Sequence, residues 1–206
     1  MGSSSAGASA GGEAEAVVPG AGLRAVLLGA PGCGKGTQAE RLAQGLAIPT
    51  ISTGEMLRQA VSEGSELGAR VEGIMAAGRL VEDDLMAEVV AERLARPDAA
   101  AGFLLDGYPR TPEQAATLDR LLAEREQRLD AVVLLEVPEE ELVRRALGRK
   151  RADDTEEVIR ERLRVYREKT EPLVGHYAER GLLIRIDGDR PVEAVTGVVL
   201  AALRRV

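Results

Sequence analysis

Residues Gly29–Thr37 read G-A-P-G-C-G-K-G-T and follow directly on the apolar run Ala25-Val26-Leu27-Leu28. A G-x-x-x-x-G-K spacing set between a buried strand and a helix is a pattern that holds phosphate groups. The glycines let backbone N–H groups turn inward around a polyphosphate. Lys35 adds a mobile cation for the outer phosphates. The helix opening near Gly34-Lys35-Gly36-Thr37 aims its partial positive end at the same anion. A glycine-rich turn that only joins a strand to a helix is the alternative, and the lysine and threonine in register after a strand disfavour it. Gly36 stands where most such loops carry a Mg²⁺-binding Ser or Thr, and Thr37 follows it.

Three further clusters carry groups suited to phosphate or base recognition. In Ser52-Thr53-Gly54-Glu55-Met56-Leu57-Arg58, Thr53 is placed to cap a helix and Arg58 falls on its first turns. An ordinary cap with a surface arginine would look the same alone; its place at a strand end beside a phosphate loop favours a ligand role. In Phe103-Leu104-Leu105-Asp106-Gly107-Tyr108-Pro109-Arg110-Thr111, the strand-terminal Asp106 is expected to hold Mg²⁺ through water. A capping Asp before a Gly turn is the plainer reading. Arg110 can grip a phosphate bidentately, and Gln114 offers both a donor and an acceptor to the edge of a base. The fourth cluster is basic: Arg144, Arg145, Arg149, Lys150 and Arg151, then Asp153-Asp154, then Arg162. Such a run is often a solvated face paired with neighbours such as Glu156, Glu157 and Glu161. A predicted helix from Thr155 allows Arg151 and Arg162 to converge, as transfer of a phosphoryl group between two polyanions requires.

These groups need a frame. Five apolar runs, Arg24–Gly29, Pro49–Ser52, Gly102–Asp106, Asp130–Val137 and Leu182–Asp187, alternate with segments of helical spacing. The pattern predicts an α/β domain: a five-stranded parallel sheet with helices on both faces and right-handed crossovers. In such a sheet ligands sit beyond the carboxyl ends of the strands, where the glycine loop, Ser52-Thr53-Gly54 and Asp106-Gly107 all fall. Two segments read as insertions: Ser52–Val81, helical but broken by Gly64, Gly68, Gly73 and Gly78, and the short charged stretch Gly148–Asp154. Glycine breaks and charge suit elements that move.

A length of 206 residues suits one such domain with a full core. A net charge of −7 leaves no footprint for nucleic acid or an acidic membrane. Only 2% of residues are aromatic and none is Trp, which disfavours stacking platforms for single strands. A single Cys and a single His allow neither an internal disulfide nor a thiolate zinc site, and they point to a reducing, cytoplasmic setting. No apolar stretch approaches the roughly 20 residues that span a bilayer. Residues 1–22, rich in Gly, Ser and Ala, read as a disordered tail or appended remnant without the marks of a secretory signal.

Taken in order, G-A-P-G-C-G-K-G-T-Q, S-T-G-E-M-L-R, G-R-L-V, D-G-Y-P-R-T with Gln114, and R-A-D-D-T closely resemble the motif set of the adenylate kinase family, over about Leu23 to the C-terminus. The resemblance implies a P-loop NTPase fold with a helical AMP-binding insertion (52–81) and a very short lid (148–154). It implies the reaction ATP + AMP ⇌ 2 ADP with Mg²⁺. Under it Gly32, Cys33, Gly34, Lys35, Gly36 and Thr37 hold the ATP phosphates, and Thr37 and Asp106 attend the metal. Thr53, Arg58, the Arg79-Leu80-Val81 backbone, Gly107, Tyr108, Pro109, Arg110 and Gln114 form the AMP site. Arg145 and Arg149 flank ATP, Arg151 and Arg162 bridge the phosphates of both nucleotides, and Arg190 marks the backbone beside the ATP adenine. Lys35, Arg110, Arg149, Arg151 and Arg162 would carry catalysis. The short lid has no cysteines for the zinc found in some long lids, so no zinc is expected. Glu82 stands where the family often has Pro or Thr, and Tyr108 replaces the commoner Phe. The expected partners are ATP, AMP and ADP, with no nucleic acid or membrane, and the expected state is a monomer. A UMP/CMP kinase and a catalytically silent nucleotide-binding protein are the alternatives; Gln114 and Thr111 lean towards AMP.

Overall fold

The computed structural model describes residues 22–149 and 154–206. Residues 1–21 of the expected tail and 150–153 of the expected lid, Arg151 among them, lie outside the described residues. Strands β1 (Arg24–Leu28), β2 (Thr50–Ser52), β3 (Phe103–Asp106), β4 (Ala131–Glu136) and β5 (Leu183–Asp187) fall within the five apolar runs. They form one sheet in the order β2-β3-β1-β4-β5, with every pairing parallel. The register sets Leu27 beside Asp106 on one side and Val133 on the other, so β3 ends at that row, β1 ends at Leu28 and β4 runs on to Glu136.

The central strands β1, β3 and β4 are mostly apolar because both their faces are covered, whereas the edge strands β2 and β5 carry Thr50, Ser52, Arg185 and Asp187. Alternate residues supply two separate cores. Val26, Leu28, Leu105, Val132 and Leu134 enter the core that also takes Leu57, Val71, Val90, Leu118 and Tyr177. These come from helices α2 (Thr53–Ser62), α3 (Glu66–Ala76), α4 (Asp83–Leu94), α5 (Pro112–Ala123) and α8 (Pro172–Glu179). Ala25, Leu27, Leu104, Val133 and Leu135 face Leu42, Leu142, Leu163 and Val199 on the other side. The helices there are α1 (Lys35–Leu46), α6 (Glu139–Gly148), α7 (Glu156–Val165) and α9 (Val192–Leu203).

Local chemistry sets several of the helix starts. The hydroxyls of Ser65, Thr111 and Thr155 accept from the backbone N–H three residues on, which satisfies donors that the first helical turn leaves over. Pro112 opens α5, where its missing N–H costs nothing. Between α7 and α8 the chain winds one π-turn, Tyr166–Thr170.

The expected glycine breaks need correction. Gly64 and Gly78 lie beyond the ends of α2 and α3, whereas Gly68 and Gly73 lie inside α3. Gly68 is there for packing: a Cβ would stand 2.1 Å from the Ala60 carbonyl oxygen, so its absence lets α3 cross closely over α2.

Leu105 is fully buried at the centre of the sheet. Leu105→Ala is expected to lower unfolding stability by about 2–5 kcal/mol. Urea denaturation followed by circular dichroism checks this; an unchanged midpoint would contradict it.

Candidate functional site

A crevice of about 650 Å³ opens over the carboxyl ends of the strands. The order reversal beside β1 creates it: the chain leaves β1 towards one side of the sheet and leaves β3 towards the other. Its walls include the glycine loop after β1, Thr53 and Arg58 of α2, the Arg79-Leu80-Val81 stretch, Asp106-Gly107 after β3, Arg110 and Gln114. Arg144, Arg145 and Arg149 of the α6 end and Arg162 of α7 close the far wall, and Arg190 lies at its edge.

The phosphate loop is held by its own backbone. Gly32 has φ +92° and sits against α6, where a Cβ would lie 2.4 Å from the Leu142 carbonyl oxygen, so any side chain would push the loop off the helix. Gly34 takes a left-handed conformation at the N-cap of α1. The Lys35 ammonium donates to the Gly29 and Ala30 carbonyls at 2.6 and 3.1 Å and lies 3.6 Å from the Cys33 sulfur. Gly36 and Thr37 occupy the first turn of α1, which carries no acidic residue. The positive end of that helix dipole is therefore uncompensated by its own side chains.

Arg110 lines the crevice just beyond the end of β3. Its Nε donates to the Gly107 carbonyl at 2.7 Å, and its backbone N–H donates to Gln114 Oε1 at 2.8 Å. Its own carbonyl accepts from the Thr170 hydroxyl of the π-turn at 2.9 Å. Burial lowers its pKa from the ordinary arginine value; Asp106 opposes that shift, and Arg162 and Arg58 add to it. Three guanidinium groups and one carboxylate thus share one field.

Several residues with a part in this geometry were not legible in the sequence as such. Asp154 has a fully buried side chain, and its Oδ1 accepts from Arg149 at 3.2 Å and from Arg162 at 2.9 Å. The R-A-D-D-T motif contained it, but only the fold brings α6 and α7 to the same carboxylate. Glu141 accepts from Arg144 and Arg145, and Arg145 extends to the Gly188 carbonyl and to Asp189. The four-residue spacing of Glu141 and Arg145 was a readable signal. Asp83, at the start of α4, accepts from Thr111 at 3.1 Å and from Gln114 at 2.7 Å. A separation of about thirty residues gives no local cue to that contact.

Two expectations change in detail. Thr53 is the first residue of α2 and not its cap; Ser52 holds the cap position, and the Thr53 hydroxyl turns to the Asp106 carbonyl instead, at 3.4 Å. Tyr108 turns its ring into the core beneath the crevice, 1% exposed, while Gly107, Pro109 and Arg110 line the cavity. Burial, with Asp83 close by, pushes the Tyr108 phenol up to about 12. Arg151 belongs to the residues not described. Among the described residues, no group of three or more His, Cys, Asp or Glu is placed to hold a metal ion, and no helix is long and apolar enough to cross a membrane.

Hydrogen bonds from Arg144 and Arg145 hold the Glu141 carboxyl at a pKa of about 2, below its ordinary 4.5. A carboxylate lowered in the folded state stabilises the fold above its unfolded pKa and ceases to as pH falls through the folded one. Glu141→Gln is therefore expected to melt below wild type at neutral pH. The gap should close between pH 4.5 and about 2. Melting curves across that range check it, and a constant gap would contradict the assignment.

The sequence model of the adenylate kinase family matches residues 27–182. An adenylate kinase of Agrobacterium fabrum is 48% identical over 193 residues, covering 89% of this chain and 98% of that protein. One from Stenotrophomonas maltophilia is 50% identical over 186 residues, covering 88% and 100%. One from Thermus thermophilus is 53% identical over 186 residues, covering 88% and 97%. With a glycine loop opening a helix and a guanidinium cluster on one crevice, and with relatives matching it over nearly their full length, this chain belongs to the adenylate kinase family.

Proposed function

We propose that the crevice takes ATP with its phosphates on the 32–37 loop and AMP between Thr53, Arg58, Val81, Arg110 and Gln114, so that the ATP phosphate chain meets the AMP phosphate over Arg110. The chain is an ATP:AMP phosphotransferase that interconverts ATP and AMP with two ADP. The observation that carries the residue-level reading is that Arg58, Arg110 and Arg162 line one crevice together with Asp106. Cations crowd in this way where an anion of higher charge is to be received.

The chemistry asks little covalent work of the protein. An AMP phosphate oxygen is already anionic, so it attacks the terminal phosphorus of ATP in line without a strong base. The protein must instead overcome repulsion between two polyanions and align them. Lys35, Arg110, Arg149 and Arg162 do so, joined by Arg151 on the strength of its place in the motif. Asp154, pinning Arg149 and Arg162 through one oxygen, sets the spacing of two of them. Arg145, fixed to Gly188 and Asp189, frames the ATP base side near Arg190.

Asp106 and Thr37 both line the crevice and offer hard oxygen donors. One carboxylate and one hydroxyl fit an ion that keeps much of its water and rides on phosphates, and these two residues would hold Mg²⁺ with ATP. When bound, the ion neutralises phosphate charge. No zinc is required. Gly78, between α3 and α4, packs against Val158 and Arg162 of α7. The 52–81 segment thereby reaches the lid side, and closure of the two would exclude water and limit hydrolysis of ATP. A monomer in a reducing compartment suits the single buried Cys33.

Lys35→Met is expected to lower turnover by about 10²–10³ fold, comparable to the loss of one transition-state donor. A coupled assay with ATP, Mg²⁺ and AMP, UMP or CMP checks both the mechanism and the choice of acceptor. Wild-type turnover in the variant would overturn the mechanism, and UMP or CMP as the better acceptor would overturn the AMP site.

A further inference from the structure

Gln114 is 2% exposed and lines the crevice, and both ends of its amide are engaged from behind. Its Nε2 donates to Asp83 Oδ1 at 2.7 Å, and its Oε1 accepts from the Arg110 backbone N–H at 2.8 Å. A carboxylate only accepts, and a backbone N–H only donates. Neither partner can exchange roles as a hydroxyl could, so a turned-over amide would set N–H against N–H and oxygen against oxygen. The amide is left with one N–H and one lone pair, in a fixed order along the wall. Asp83 is itself held in place: it opens α4, where the helix dipole favours a negative charge, and its second oxygen accepts from the Thr111 hydroxyl.

We propose that Asp83 is a positioning residue for acceptor specificity: by fixing the orientation of the Gln114 amide, it makes the wall complementary to a purine edge with a ring-nitrogen acceptor and an exocyclic amino donor, and repulsive to an edge with a ring N–H and a carbonyl. The proposal rests on the AMP site assigned to this crevice. The adenine edge has the first pattern at N1 and N6. Hypoxanthine has the reverse at N1 and O6, with no other change in outline. Rejection of the reversed edge is strong because the mismatched donor and acceptor would both be buried and unpaired. Asn in place of Asp83 can accept or donate, which removes one of the two locks while keeping shape.

The test compares kcat/KM for AMP, purine riboside 5′-monophosphate and IMP. The purine compound keeps the ring-nitrogen acceptor and lacks the amino group. With the amide fixed, wild type uses them in the order AMP, purine riboside monophosphate, IMP. Asp83→Asn is expected to lower the AMP-to-IMP ratio by about tenfold, on the scale of one or two neutral hydrogen bonds, with part of the change a gain in IMP use. Leu122→Ala, which removes a buried side chain at the far end of α5 and touches neither Asp83 nor the crevice, should lower the melting temperature with the ratio unchanged. Asp83→Asn with an unaltered ratio would overturn the proposal, as would a wild-type enzyme that uses IMP better than the purine compound; the latter needs no variant to fold. Gln114→Ala with a wild-type ratio would be a different failure: it would remove the base contact itself and the AMP-site reading with it.

Discussion

Mutual repulsion among fixed cations is the constraint on which the crevice depends. Arg58 and Arg162 are near enough to be felt at the Arg110 guanidinium, which is itself partly buried. Such an arrangement is unfavourable unless each cation is tethered. The tethers are visible one by one. Lys35 is held by two loop carbonyls, and Arg110 by the Gly107 carbonyl. Arg149 and Arg162 share Asp154, and Arg145 is bonded to Glu141 and Asp189. Tethers of this kind hold the cations close to one another before a polyanion arrives, and preorganised charge is where electrostatic catalysis gains most.

The sheet is the rigid part of the device. Strands β1, β3 and β4 are buried on both faces and paired in a fixed register, so the loops beyond them start from fixed points. Functional groups on loops are only as precise as their anchors. Here the anchors are two cores of close-packed aliphatic side chains, one on each face, whose contacts resist small displacements.

The π-turn at Tyr166–Thr170 links the two sides of the crevice. An extra residue in the turn rotates α8 relative to α7, and this leaves the Thr170 hydroxyl on the Arg110 carbonyl while α7 carries Arg162. A single stretch of helix thus restrains an arginine from β3's loop and presents one of its own. On the other side, Asp83 and Thr111 tie the starts of α4 and α5 together beneath Gln114. Polar networks of this kind specify orientation because each donor and acceptor has one partner of the right kind.

The sequence by itself determined the frame and the inventory. Five apolar runs bounded by turn signals are enough to fix a parallel sheet, because strands buried on both faces have no polar alternative. The glycine loop was legible because backbone conformation is encoded locally, and so was the start of a helix at Thr155. What lay beyond local encoding was decided by the tertiary structure. Thr53 could have capped its helix, and turned to the Asp106 carbonyl because β2 and β3 are neighbours. Gly68 looked like a break and proved to be a crossing point of two helices. Tyr108 lay within a ligand motif yet turned its ring inward, because a large apolar ring is more stable in the core than on a wet wall. Asp83 and Asp154 are ordinary acids until elements distant in the chain are packed together. The types of side chain are written in the sequence, but the distances between charges are set only when packing fixes both ends, and it is those distances that make a basic, acidic or amide group into a site.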